Sequence, residues 1–131
     1  MDLKEKMVDV EKRVSTVLKQ SQRWKRTQDR KELSMIRIVI KHAMTGLDTL
    51  KKFCFEDPGL DHAVSYIDSA LAAGSRVVDA LEQTTDISRP LNDSEITYIQ
   101  QTLADYFVMV DVAYSNLDHK TKFSDSYNSS D

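Results

Sequence analysis

Chain-breaking residues are scarce in this sequence. Its 131 residues include three glycines, Gly46, Gly59 and Gly74, and two prolines, Pro58 and Pro90. A β-sandwich or barrel of short strands needs a turn signal about every ten residues, and those signals are missing. Long segments without breakers read as helices. A chain of this length forms one domain of ordinary size and buries roughly two-thirds of the surface exposed when unfolded. Apolar residues make up 40% and charged residues 30%, a mix that suits helices with one buried stripe each. The expected fold is all-α: an up-and-down bundle of three or four helices over residues 1–120, its first helix long enough for a coiled coil.

The stripes divide the chain. Leu3, Met7, Val10, Val14, Val17, Ser21 and Trp24 step by four and three alternately, which keeps them on one helical face. Leu33, Ile36, Ile40, Ala43, Leu47 and Leu50 form a second stripe whose phase does not continue the first. Either the chain breaks near Thr27–Arg30, or one long helix turns a new face to a new partner; the break is preferred. Glu56-Asp57-Pro58-Gly59 ends the second segment, with Asp57 placed to cap and Pro58 at the first helical position of the next. That next stripe is Leu60, Val64, Ile67, Leu71, Val78 and Leu81, with small residues from Ser69 to Ser75 that would let another helix approach closely. Thr84–Pro90 reads as a loop. Asn92 and Glu95 then form a capping box between Leu91 and Ile96, and the last helix runs to Leu117. Residues 121–131 are mostly polar, with Phe123 and Tyr127 isolated, and are expected to be a disordered tail.

Charge is divided unevenly. Residues 1–52 hold 14 Lys and Arg against 7 Asp and Glu, a balance of +7. Residues 53–131 hold 4 against 14, a balance of −10, which together give the net −3. Basic residues concentrate at Lys19, Arg23, Lys25, Arg26, Arg30 and Lys31, around Trp24. The two halves would neutralise one another, within the fold or between copies. Alternatively the basic segment would neutralise phosphates while Trp24 stacks on a base, or would meet an anionic membrane or an acidic protein.

Signatures of catalysis are sparse. The sequence has no Gly-rich phosphate loop, no nucleophile elbow and no Glu-x-x-His pair. His42, His62 and His119 lie too far apart for metal-ligand spacing, and Cys54 stands alone in Phe53-Cys54-Phe55, where it reads as a small buried hydrophobe. No metal or cofactor is expected. The amino terminus carries no apolar segment of a secretory signal and no run is long enough to span a membrane, so a cytoplasmic protein is expected. The segment Lys41-His42-Ala43-Met44-Thr45-Gly46 distantly resembles the phosphoacceptor segment of histidine phosphotransfer domains. In those four-helix modules an exposed helical histidine relays a phosphoryl group, and a nearby glycine lets the partner approach. The resemblance implies a signalling role for His42, although Thr45 stands immediately before Gly46 where that family typically has Lys.

The reading these features favour is a non-catalytic regulator, adaptor or assembly protein acting through helix-to-helix contact, as a homodimer or with a partner protein. Leu3, Met7, Val10, Val14 and Val17 are its candidate interface. The alternative is a nucleic-acid-binding regulator using Lys19, Arg23, Trp24, Lys25, Arg26, Arg30 and Lys31.

Overall fold

Local capping sets the helix boundaries. The computed structural model describes residues 2–130. Asp2 opens α1 (Leu3–Thr27) by accepting the Glu5 amide at 2.9 Å. The helix stops at Gln28, whose backbone turns left-handed with φ of 55° and donates its N–H to the Trp24 carbonyl. Asp29 then caps α2 (Arg30–Phe55) through the Lys31 amide at 3.0 Å. The change of stripe phase is therefore a true break, made without Gly or Pro. Asp57 does not cap a helix as expected. It accepts the Gly59 amide at 2.9 Å within a turn, Pro58 stays outside any helix, and a single 3-10 turn (Asp61–Ala63) leads into α3 (Val64–Thr85). The capping box of α4 (Asp93–Ser115) forms as read, with both Asn92–Glu95 hydrogen bonds present.

The four long helices run up and down in sequence, α1 against α2, α2 against α3 and α3 against α4. The inner face of α3 carries Ala70, Ala73, Gly74, Val77 and Ala80, all buried, between the larger Ile67 and Leu81. A methyl group at Gly74 would lie 2.9 Å from Met44 Sδ on α2 and 3.3 Å from Tyr106 Cε1 on α4. The small stretch thus marks a close crossing, as its composition suggested. Gly46 serves the same purpose between α2 and α1, where an added Cβ would meet Arg13 Cδ at 3.1 Å and Val10 at 3.3 Å.

The carboxyl-terminal segment departs from expectation. Residues 121–131 were expected to be disordered, yet Phe123–Asn128 form a short helix, α5, with Phe123 and Tyr127 buried. The physical reason is tertiary. The two aromatics are four residues apart and so share one face, and the groove between α1 and α4 receives them. Tyr127 lies 5.2 Å from the Phe107 ring, and Lys25 Nζ sits 4.3 Å above the Tyr127 ring while donating to its carbonyl at 2.7 Å. The Asp111 carboxylate accepts the Phe123 and Ser124 amides and the Thr121 hydroxyl, which caps the segment from a neighbouring helix. Burying each aromatic contributes about 1.5–3 kcal/mol. Removing residues 121–131 is expected to lower the melting temperature by several degrees and to uncover Phe107, as followed by circular dichroism and dye binding. An unchanged melt would show that the segment adds nothing to the core.

Candidate functional site

The expected interface stripe lies inside the fold. Met7, Val10, Val14 and Val17 are buried within one chain, and half-buried Leu3 packs beside them. Helix α1 is an internal member of the bundle, tied to α4 by the Tyr114 hydroxyl, which donates to the Met7 carbonyl. These residues are therefore not the free face that their periodicity suggested. A coiled-coil seam and a bundle core use the same spacing, and sequence alone does not separate them. Replacing Val10 or Val14, which are 1% and 0% exposed, with Asp is expected to abolish cooperative melting, because the charge would enter a core without a partner. A folded variant of reduced mass would instead restore the stripe as an interface.

The basic segment does not form one surface either. Trp24 is 1% exposed, so it cannot stack on a base. Arg23 pairs with Glu32 at 3.2 Å, Lys25 is engaged with Tyr127, and Arg30 donates to the Thr84 and Arg89 carbonyls at 2.7 and 2.9 Å. Lys19, Arg26 and Lys31 remain exposed without ion pairs among the described residues.

The fold turns the charge division into two sides. Residues 1–52 make up the α1–α2 hairpin apart from its last turn, and residues beyond it supply α3 to α5, so the +7 and −10 excesses lie on different parts of the bundle. A few pairs join them: Arg37 and Lys41 reach Glu82, Lys51 reaches Asp68 at 2.7 Å, and His119 reaches Glu11 at 2.6 Å. On the outer side of α2, Ile38 is 62% and Met35 46% exposed. Helix α4 contains no Lys or Arg over its 23 residues, and its outer side carries Tyr98, Val108 and Val112, all exposed. Helical periodicity marks the inward stripes and carries no signal for these outward side chains.

One end of the bundle gathers cations. The α1–α2 turn and the α3–α4 loop meet there through the Arg30 hydrogen bonds. A cleft of about 270 Å³ is lined by Arg30, Lys31, Ser34 and Arg37 over Leu33 and Leu81. On the other side of Arg30, a cleft of about 480 Å³ is lined by Trp24, Pro90, Leu91 and Ile96 with Arg89. Arg89 binds Glu95 through both carboxylate oxygens, at 2.8 and 3.0 Å. That pairing, with the Asn92 amide, pulls the Glu95 carboxyl from the usual 4.5 down to about 2. The folded value lies below the unfolded one, so the contribution of Glu95 is present above pH about 4.5 and is lost as pH falls toward about 2. Carbon-detected NMR is expected to find Glu95 still ionised at pH 3, and Glu95→Gln is expected to flatten the acid limb of the stability profile. An ordinary Glu95 titration would show that the box and the Arg89 fork are open in solution.

His42 is exposed on α2, as a phosphoacceptor must be, and its carbonyl accepts Arg13 Nη1 at 2.9 Å. Gly46, however, is buried against α1 and opens no surface beside the histidine. Cys54 is buried, and burial followed by the Asp57 charge pushes its thiol pKa up. Among the described residues, no helix is long and apolar enough to cross a membrane. The arrangement defines an up-and-down four-helix bundle, closed by a fifth short helix, with its charge excesses on opposite hairpins. No protein-family description matches the chain, and neither a curated protein nor a solved structure matches it significantly.

Proposed function

We propose that this chain is a non-catalytic helical interaction protein that associates with copies of itself through its outer helix faces. The observation that carries this reading is the pairing of unlike charge with exposed apolar side chains. Met35 and Ile38 sit on the basic hairpin, and Tyr98, Val108 and Val112 sit on a helix without a basic residue. Opposite charge steers encounter and fixes register, while the apolar centre supplies affinity. A contact between the α2 side of one copy and the α4 side of another satisfies both requirements. Sedimentation of the full chain is expected to show a mass that rises with concentration at low salt and falls at high salt. Ile38→Asp, at an exposed position, is expected to keep the melt and abolish the association. One monomeric mass under all conditions would overturn the reading.

A second reading rests on the unpaired cations. Lys12, Lys19, Arg26 and Lys31 are exposed along the α1–α2 hairpin, and a nucleic-acid backbone would find phosphate contacts there without base readout, since Trp24 is enclosed. Saturable binding of a random-sequence DNA or RNA pool with a steep salt dependence would favour this alternative.

A further inference from the structure

Arg30 is a fixed cation that no carboxylate touches among the described residues, the Glu95 charge it feels being bound by Arg89. Its guanidinium is anchored by Nη1 to the Arg89 carbonyl and by Nη2 to the Thr84 carbonyl, and no carboxylate forms an ion pair with it among the described residues. A guanidinium has five N–H donors in a rigid fork. Two carbonyl bonds leave donors free, already oriented at no further entropic cost. Three acids of this end are engaged elsewhere, Glu95 by Arg89, Glu82 by Arg37 and Lys41, and Asp29 by the Lys31 amide, while Asp86, next to Thr85, is exposed. Lys31 lines the same cleft with no ionic partner, and Arg37, Ser34 and Thr85 complete its wall.

We propose that this cationic end of the bundle binds a phosphate-bearing small molecule, with the phosphate held by Arg30, Lys31 and Arg37 in the smaller cleft. Arg30 and Lys31 line that cleft without ion pairs among the described residues, Arg37 lines it while paired with Glu82, and the planar fork of arginine matches phosphate oxygens. The adjoining cleft is larger, and Pro90, Leu91 and Ile96 present its accessible apolar wall while Trp24 lies enclosed behind them, so it receives an apolar or aromatic group esterified to the phosphate. The assignment does not rest on self-association, because the smaller cleft lies between α2 and α3 and neither Met35 nor Ile38 lines it.

Amide NMR of the isotopically labelled full chain tests the site, with inorganic phosphate and phenyl phosphate as probes and sodium chloride at matched ionic strength as control. The expected result is saturable shifts confined to the first two turns of α2 and to residues 84–96, with phenyl phosphate binding more tightly than phosphate. Lys31→Gln, which removes an unpaired exposed ammonium, is expected to weaken both probes by about tenfold with an unchanged melt. Arg30→Lys keeps the charge but removes the fork, and is expected to weaken them similarly. If that variant fails to fold, Lys31→Gln decides alone. Shifts that do not saturate, that sodium chloride reproduces, that spread along Lys12–Arg26, or that survive Lys31→Gln would overturn the proposal.

Discussion

The small inner face of α3 is the constraint on which the packing depends. Alanines and Gly74 let α2 and α4 each approach α3 closely, so that Met44 and Tyr106 both lie against the backbone at Gly74. The bulk of the core comes from the other helices: Trp24 from α1, Ile36, Ile40 and Leu47 from α2, and Phe107 and Tyr114 from α4. Interiors pack to near-crystal density, so large groups on some helices require small ones on another. Placing α3 between α2 and α4 fixes which sides of those two helices remain outside.

The same arrangement decides what the surface can do. Both hairpins join neighbours in sequence, so a charge bias along the chain becomes a charge bias in space. Three cross-connections, at Arg37, Lys41 and Lys51, neutralise only part of it. Exposed pairs of this kind stabilise the fold by little. Their weight lies in the charge left uncompensated around them, the feature on which the proposed contact between unlike sides depends.

Fold class was legible because scarcity of breakers and helical periodicity are local properties. The capping box at Asn92 and the close crossing at Gly74 were legible for the same reason. The role of the α1 stripe was not, since Val10 and Val14 would look alike in a bundle core and in a dimer seam. The fate of Phe123 and Tyr127 depended on a groove and on Asp111, ten to thirteen residues away and on another helix. Composition judged that segment polar and missed its two-residue anchor. The basic cluster was visible, but Trp24 at its centre was a core residue, and only Arg30 and Lys31 came to line a cleft.

Helix α5 also bears on the order in which the structure forms. The hairpins close through contacts between adjacent helices, which are local in sequence and quick to make. The bonds from Lys25 to Tyr127 and from Gln22 to Ser126 join residues 102 and 104 positions apart. Their loop-closure entropy is recovered only after the intervening helices have assembled. On this entropic argument the segment is expected to join last and leave first, opening the α1–α4 groove locally above an intact bundle.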